Sequence, residues 1–346
     1  MDTVEHLIVG GGPAGLRAAQ VLAAAGREVL LVEKRAEIGP KVCAGGLTPK
    51  ATRLLEALGL PPSLGLASVG HVGFNGGRAG VLDPVQTIIR TLPRRTLGQV
   101  QLQWTLAAGA EVRSGVAVTD IELEGKRARI GEVAVGWRHL VGADGADSGV
   151  RRCLGLASPR AYFAAEYNVP GLRLTPLRVE CDPAGLGGGY FWVFPHERYT
   201  SIGAVAAKRS VPPAAVRRYL DRRMEALGLE NAGAPFEGAT LEVACHGFHF
   251  PDEVHLAGDA AGVPSALTAE GIYAALVTGE EVARTILEPR FPSPLTARWL
   301  RVKRRHDRLA RLLRSAAARR LVFPTLAGMA CCRPIRRPMA QWFLAG

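Results

Sequence analysis

A glycine-rich turn near the N-terminus restricts the fold of this 346-residue chain more than any other feature. The turn, Gly10-Gly11-Gly12-Pro13-Ala14-Gly15, fits the pattern G-x-G-x-x-G and directly follows the apolar run Leu7-Ile8-Val9. A helix-compatible stretch, 16–23, comes next, and residues 29–33 have the composition of a second buried strand. A strand, a tight turn, a helix and another strand in this order predict a parallel α/β unit.

The spacing within this turn suits a dinucleotide. Gly10 permits the tight turn, Gly12 lets the backbone approach a pyrophosphate, and Gly15 lets the helix pack closely on the strand. Glu33 can accept hydrogen bonds from ribose hydroxyls and would repel a 2′-phosphate, which argues against NADP at this site. The turn alone leaves open whether NAD or FAD binds. The predicted dinucleotide-binding residues are Gly10, Gly12, Ala14, Gly15, Glu33 and Lys34.

Two later segments favour FAD. Residues 139–151, which contain Asp144-Gly145, resemble the D-G motif of flavoprotein hydroxylases, and residues 254–262, which contain Gly258-Asp259, resemble their G-D motif. The chain is therefore similar, over roughly residues 1–290, to the FAD-dependent superfamily built on the p-hydroxybenzoate hydroxylase fold. In that superfamily the G-D aspartate binds the ribityl chain, and the next helix points its N-terminus at the flavin. The resemblance implies as cofactor residues Asp144, Gly258, Asp259, Gly271 and Ile272.

The same resemblance implies an arginine that contacts FAD just before a helix. Counting back 15 residues from Gly109 reaches Arg94, and Arg95 is the alternative. The helix departs from the family pattern, because Gly98 and Gln101 replace the usual acid and leucine. No second glycine fingerprint for a nicotinamide domain follows, so we expect electrons from transiently bound NAD(P)H or from a protein donor.

Two further segments point to one branch of the superfamily. Residues 41–47 are similar to the Cys-Gly-Gly loop of geranylgeranyl reductases, and 189–195 are similar to their Y-x-W-x-F-P motif. Gly187 and Ala269 depart from this pattern, where the family has a proline and a glycine. The resemblance implies an FAD-dependent reductase that hydrogenates isolated C=C bonds of a prenyl lipid. The implied substrate-binding residues are Tyr190, Trp192, Phe194 and Pro195, and the candidate catalytic residue is Cys43.

Other interpretations of these residues stay open. Alternating aromatic residues are also typical of an ordinary strand core, and a free cysteine is often a small core residue. His246 and His249 are expected to be structural, and His196 is a weaker acid–base candidate. The alternative enzyme is an aromatic monooxygenase or a halogenase on the same fold. The non-enzymatic alternative is a membrane-associated flavin-binding sensor.

The fold class that we predict is α/β, with a Rossmann-like FAD-binding domain and an inserted α+β substrate domain of mostly antiparallel sheet. A C-terminal helical tail follows. The FAD-binding domain is expected to be discontinuous, over 1–70, 90–155 and 245–290. The substrate domain is expected at 71–89 and 156–244, and the tail at 291–346.

The net charge of +12 lies entirely in the tail, which has 13 basic residues and one acid. We predict one basic amphipathic helix over 295–321, then a broken apolar stretch, and Trp342 and Phe343 as anchors. Arginine with aromatic anchors suits an anionic membrane surface, although the helix could instead pack on the domain. Truncation near Pro292 is expected to leave an FAD-binding core unless the tail is needed for folding.

The remaining composition excludes several classes of protein. No apolar run reaches the ~18–20 residues that span a bilayer, and no nucleic-acid-binding module accompanies the basic tail. The six cysteines show no metal-binding spacing, so we predict no metal site and no disulfide framework. These features predict a cytoplasmic protein, peripheral on the inner face of the membrane, that binds no nucleic acid.

Overall fold

Two large β-sheets, one small sheet and the helices around them make up the chain in the part that the computed structural model describes. That part comprises residues 2–74, 78–81, 88–159, 161–229, 233–291, 293–332, 334–335 and 338.

The first sheet carries the glycine turn and has eight strands. They are β1 (Asp2–Val9), β2 (Val29–Glu33), β8 (Glu111–Ser114), β9 (Val118–Glu122), β10 (Arg127–Ile130), β11 (Val133–Gly142), β17 (His249–Phe250) and β18 (Val254–Leu256). Strands β18, β11, β1, β2 and β8 are parallel and adjacent in that order. This is the parallel arrangement that the sequence predicts, with β2 at the predicted residues.

Three helices pack together beside this sheet: α1 (Pro13–Ala24), α3 (Arg94–Ala107) and α6 (Ile272–Leu287). Helices α1 and α6 cover Ile8, Leu31 and Val141, which are fully buried on one face of the sheet. Arg17 of α1 pairs with Glu280 of α6 at 2.8 Å. The helices predicted after the glycine turn and after the G-D motif are thus confirmed.

The second sheet lies in the segments predicted for substrate. Its strands run in the order β16 (Phe236–Glu242), β12 (Ala161–Pro170), β15 (Tyr199–Ala207), β14 (Tyr190–Pro195), β13 (Arg178–Cys181), β5 (His71–Phe74) and β6 (Arg78–Val81). All neighbours are antiparallel except β13 and β5. Helix α5 (Pro213–Ala226) covers one face through Val216 and Leu220. A mixed sheet with helices and an antiparallel second sheet confirm the predicted fold class.

A small third sheet was not predicted from the sequence. It joins β3 (Gly46–Leu47), β7 (Ile88–Thr91) and β4 (Leu66–Val69), and α2 (Pro49–Ala57) follows β3. Strand β7 crosses the boundary that we predicted between residues 89 and 90. A short helix, α4 (Gly149–Cys153), begins after the D-G motif.

The C-terminal region differs from the prediction of one helix over 295–321. It forms α7 (Pro294–Leu312) and α8 (Ala316–Cys331), because Ser315 begins a new helix and accepts a hydrogen bond from the Ala318 amide at 3.4 Å. The stretch predicted to be broken is helical and contains Pro324. Among the described residues, no helix is long and apolar enough to cross a bilayer. The predicted anchors Trp342 and Phe343 lie outside the described residues.

Helix α7 is part of the folded body and not a detached tail. Trp299, Lys303 and His306 are at most 1% exposed. Trp299 donates to the Val263 carbonyl at 3.1 Å, and Lys303 Nζ donates to the Val243 carbonyl at 2.7 Å. A chain truncated near Pro292 would lose these core contacts. The structure therefore does not support the expectation that a chain truncated near Pro292 keeps a folded FAD-binding core.

Candidate functional site

A cavity of about 530 Å³ lies where the parallel strands end and is lined by residues from distant parts of the chain. We call it the nucleotide cavity. The glycine turn lies along it, together with residues from α3, from the D-G and G-D segments and from β16. The predicted cofactor residues in its lining are Gly10, Gly12, Ala14, Glu33, Lys34, Arg94, Asp144, Gly258 and Asp259.

The glycine turn leaves space for a ligand at one position and none at the others. Gly10 has a φ of +108°, and a Cβ there would lie 2.4 Å from the Ala143 carbonyl oxygen. A Cβ on Gly15 would lie 2.0 Å from the Gly10 carbonyl oxygen, so only a glycine at position 15 lets α1 pack this closely on β1. A Cβ on Gly12 would meet no protein atom within 4 Å. The open space at Gly12 and the N-terminus of α1 suit a pyrophosphate.

The Glu33 carboxylate is fixed at the end of β2. Its Oε2 accepts from the Gly11 amide at 2.7 Å, and its Oε1 accepts from the Arg35 amide at 2.9 Å. These bonds hold an acceptor group against the turn, in the position expected for ribose recognition. The carboxylate also ties the second strand to the glycine turn.

Two buried polar atoms in the lining of the nucleotide cavity have no partner in the protein. Asp144 Oδ2 accepts from the Gly149 amide at 2.6 Å, but its Oδ1 is buried without a hydrogen bond. Arg94 Nε is also buried and unpaired. Arg95, the alternative, instead pairs with the exposed Glu37 at 2.5 Å and does not line the cavity. Unpaired buried groups are costly, so a polar ligand would satisfy Asp144 and Arg94.

The departures in α3 have a packing reason. A Cβ on Gly98 would lie 2.4 Å from Gly39 Cα, so a side chain of any size would push the helix away from that loop. Gln101 is buried and donates to the Pro13 carbonyl at 3.4 Å. The glycine and the glutamine therefore hold α3 against the nucleotide cavity.

A second cavity, of about 260 Å³, adjoins the first at the start of α6 and is mostly apolar. We call it the apolar cavity. A Cβ on Gly271 would lie 3.5 Å from Asp259 Oδ1, which joins the two cavities at this point. Gly271 and Ile272 line the apolar cavity and not the nucleotide cavity. Lys41 Nζ, 2.6 Å from Asp259 Oδ2, lies at the same junction.

Three of the four aromatic residues of β14, which are Tyr190, Trp192 and Phe194, share one face and line the apolar cavity. Tyr190 donates to the Thr268 carbonyl at 2.7 Å, and Trp192 donates to Ser201 Oγ at 2.9 Å. Phe194 completes this face. Pro195, which we predicted to bind substrate, does not line the cavity. Its carbonyl oxygen instead accepts a hydrogen bond from Thr91 Oγ1 at 2.5 Å. The C-terminal helices close the cavity with Leu309, Leu313, Phe323 and Leu326.

Cys43 lines the apolar cavity and is held by a buried carboxyl group that the sequence analysis missed. Glu166 is 2% exposed, and its Oε1 accepts from the Cys43 amide at 2.9 Å. Its Oε2 accepts from Ser201 at 2.8 Å, which links the loop to Trp192. Burial raises the pKa of Glu166, which the hydrogen bonds oppose. A glutamate inside a strand gave no sequence signal of this role.

A second group that sequence reasoning missed is a buried ion pair beside the apolar cavity. Lys50 Nζ lies 3.0 Å from Glu270 Oε2, and both side chains are less than 10% exposed. The two groups form an ion pair without the geometry of a hydrogen bond, because neither Lys50 Nζ nor Glu270 Oε2 has a hydrogen-bond partner. Thr48 donates to Glu270 Oε1 at 2.5 Å. Burial raises the pKa of Glu270, although Lys50 and Thr48 act in the opposite direction.

His196 also holds the Cys43 loop in place. Its Nε2 lies 3.0 Å from the Ala44 carbonyl oxygen, and its ring stacks on Tyr199. Burial lowers the pKa of His196 to about 4. The neutral ring therefore acts as a hydrogen-bond donor to the loop, and it does not line the apolar cavity.

Residues 3–210 match the family model described as an FAD binding domain. The chain is 31% identical over 325 residues to digeranylgeranylglycerophospholipid reductase 1 of Methanopyrus kandleri, covering 87% of this chain and 84% of that protein. The chain belongs to the geranylgeranyl reductase family of FAD-dependent oxidoreductases. The predicted resemblance is thereby confirmed.

Other known proteins match most of the length of the chain. A menaquinone reductase of Mycobacterium tuberculosis is 28% identical over 372 residues, with 90% of this chain and 84% of that protein covered. A geranylgeranyl bacteriochlorophyll reductase-like structure from Thermoplasma acidophilum has a TM-score of 0.75 at 21% identity, covering 99% of this chain and 97% of the other. The p-nitrophenol 4-monooxygenase of Pseudomonas putida has a TM-score of 0.73 at 18% identity, with 98% and 97% covered. Both structural likenesses show the fold alone.

The residues that line the nucleotide cavity of this geranylgeranyl reductase family member fit FAD. The open space at Gly12 would suit a pyrophosphate, the fixed Glu33 carboxylate would suit ribose hydroxyls, and the unpaired Asp144 Oδ1 and Arg94 Nε would suit polar groups of the cofactor. The N-terminus of α6, at the junction of the two cavities, carries a partial positive charge that would favour a reduced, anionic flavin bound there.

Proposed function

We propose that this protein is an FAD-dependent reductase that hydrogenates isolated C=C bonds in the prenyl chain of a lipid. The observation that carries the proposal is the apolar cavity, which adjoins the nucleotide cavity at Gly271 and is walled by the aromatic face of β14. A long apolar chain is the substrate class that such a wall suits. The relatives near 30% identity are named as reductases of a digeranylgeranylglycerophospholipid and of menaquinone, which are both prenyl lipids.

An isolated double bond has no neighbouring carbonyl, so its reduction needs a hydride at one carbon and a proton at the other. Bound FAD supplies the hydride chemistry in its reduced form. The chain must supply an apolar, dry site and an acid. NAD(P)H that binds transiently, or a protein donor, would reduce the flavin.

Glu270 is the acid that we propose for this proton. It lines the apolar cavity next to Gly271, where the two cavities meet. Because Thr48 donates to Oε1, a proton on the carboxyl group would reside on Oε2. Burial favours the protonated form of the carboxyl group.

Cys43 remains the alternative acid. It lines the same cavity, and its Sγ accepts a weak hydrogen bond from the Gly45 amide at 3.4 Å. Its amide is held by Glu166, so the loop has a fixed conformation beside the cavity. In our proposal Cys43 shapes the reaction site, and Glu270 moves the proton.

We also propose peripheral contact with an anionic membrane through 291–346. Eight arginines of α7, α8 and the turn between them are exposed: Arg298, Arg301, Arg304, Arg305, Arg308, Arg311, Arg314 and Arg320. Leu312 is 52% exposed and Leu321 is 73% exposed, and they neighbour the cavity-lining Leu313 and Phe323. Basic and apolar groups side by side suit a lipid interface, from which a prenyl chain could enter the cavity.

The test uses full-length, FAD-loaded protein that is chemically reduced without oxygen and mixed with unsaturated prenyl lipids. The proposal predicts products heavier by two hydrogens, detected by mass spectrometry. A monooxygenase or halogenase would instead consume NAD(P)H with oxygen and give a hydroxylated or halogenated aromatic product. Stable FAD binding with no lipid product would favour a flavin-binding sensor. Either of the last two results contradicts the proposal.

A further inference from the structure

Four of the eight histidines in the chain form a row across neighbouring strands of the first sheet. His6 of β1 lies beside His139 of β11, His139 is followed by His255 of β18, and His255 by His249 of β17. We propose that His139, His255 and Glu253 form a binding site for a divalent transition metal ion such as Zn²⁺. This proposal is independent of the proposed reductase activity.

Two of the distances between ligand atoms are close to those found around a tetrahedral ion. With metal–ligand bonds of about 2.1 Å, neighbouring ligand atoms in a tetrahedron lie roughly 3.4 Å apart. His139 Nδ1 lies 3.2 Å from Glu253 Oε2 and 3.5 Å from His255 Nε2. The three groups place one ligand atom each within 4.8 Å of one another. Water would complete the coordination on the open side, where Glu253 is 54% exposed.

A neighbouring histidine sets the orientation that the ion requires. His249 Nδ1 lies 3.0 Å from His255 Nδ1, so one of these two nitrogens must donate to the other. When His255 Nδ1 carries the proton, its Nε2 keeps a lone pair that points toward His139. Metal-bound histidines commonly donate their second ring nitrogen in this way. His6 stacks on His139, with ring centroids 5.2 Å apart, and restricts the rotation of that ring.

The backbone before β18 is bent in a way that brings the carboxylate to the histidines. Asp252 and Glu253 both have positive φ, of 60° and 61°. Two consecutive residues of this kind are costly unless a contact compensates, and Glu253 contacts His139. An ion bound there would connect β11 to the turn that leads into the G-D segment.

The site is remote from both cavities. His6 and His139 line neither cavity and lie four residues before Gly10 and Ala143, which follow the carboxyl ends of β1 and β11 and line the nucleotide cavity. At about 3.3 Å per residue, His6 and Gly10 are separated by more than 10 Å along the strand. We therefore assign the ion a stabilising role in the sheet and none in flavin chemistry.

The test is a titration of chelator-treated, FAD-loaded full-length protein with Co²⁺, which reports its ligands by absorption. We expect one equivalent to bind with visible d–d bands but without the near-ultraviolet band of a thiolate ligand, and Zn²⁺ should displace it. Binding should weaken at least tenfold in Glu253→Gln and His139→Gln and should be unchanged in His246→Gln. Glu253 is exposed, so its variant keeps the test valid if His139→Gln misfolds.

Flavin content and far-ultraviolet circular dichroism establish that each variant is folded. Zn²⁺ should raise the melting temperature of the wild type and of His246→Gln but not of Glu253→Gln. Absence of Co²⁺ binding, a thiolate band, or equal binding by the Glu253 variant and the wild type would overturn the proposal. In that case the row is only a set of stacked imidazoles.

Discussion

The Lys50 ammonium group lies over the indole ring of Trp299, 4.6 Å from the ring centroid. Lys50 belongs to α2 and is paired with Glu270 beside the apolar cavity, whereas Trp299 belongs to the C-terminal α7. The cation–π contact thus links the basic C-terminal region to the part of the site where we place the acid. The region that carries all the net charge of the chain is also structural support for the cavity.

Replacement of Trp299 by alanine should destabilise the whole protein. The indole is 1% exposed and packs in the largest described core cluster, so we expect a loss of about 3–5 kcal/mol in the free energy of unfolding. Denaturant titration measures it. A chain that ends at Phe291 should fail to fold cooperatively, whereas one that ends at Cys332 keeps α7 and α8 and should still bind FAD. Stable folding of the shorter chain would refute the structural role of α7.

Substitution of Glu270 by glutamine should abolish prenyl reduction and leave FAD binding intact. The amide keeps the size of the side chain but has no acidic proton, so we expect a loss of at least a hundredfold in the rate of lipid reduction. Anaerobic single-turnover kinetics with the reduced protein measures that rate. Cys43→Ser is the matched variant at the alternative acid, and it should retain most of the activity. If the serine variant is inactive and the glutamine variant is not, Cys43 is the acid.

The raised pKa of Glu270 predicts a pH dependence of the same rate. Burial favours the neutral carboxyl group, so the acid form should persist above the ordinary pKa of a glutamate. The rate should therefore be high at low pH and fall as pH rises through the raised pKa. A rate that rises with pH over this range would show that the ionised carboxylate is the active form.

Contact with a membrane should depend on two exposed leucines of the C-terminal helices. Burial of one leucine in an apolar phase stabilises by roughly 1.5–3 kcal/mol, so Leu312→Gln with Leu321→Gln should weaken binding to anionic vesicles more than tenfold. Leu106→Gln, at a leucine that is 51% exposed on α3, is the matched control and should bind normally. Vesicle co-sedimentation measures this affinity. Equal binding by the wild type, the double leucine variant and Leu106→Gln would exclude the membrane role of Leu312 and Leu321.

His196 should make the protein sensitive to acid. Its pKa is lowered to about 4 in the folded state, so between pH 6.5 and 4 the unfolded chain holds a proton on this histidine that the folded chain does not. Stability from this group is present above pH 6.5 and is lost as pH falls, by about 1.4 kcal/mol per pH unit. His196→Gln should lack this part of the slope. Parallel slopes for the two proteins would contradict the prediction.

The sequence predicted those parts of the fold and site that local patterns encode. The glycine turn, β2 and the aromatic alternation of β14 each depend on residues close together in the chain, and local spacing reveals them. The pairing of Lys50 with Glu270 depends on contacts between distant segments, and no local pattern contains it. The same holds for Glu166, whose partners come from two other segments.

The most direct test of the proposed function follows the flavin itself. Reduced, FAD-loaded protein is mixed with an unsaturated prenyl lipid without oxygen, and the flavin absorbance and the lipid mass are recorded together. The reductase account predicts that the flavin becomes oxidised and that each flavin oxidised adds two hydrogens to one double bond. Flavin that stays reduced until oxygen is admitted would contradict it.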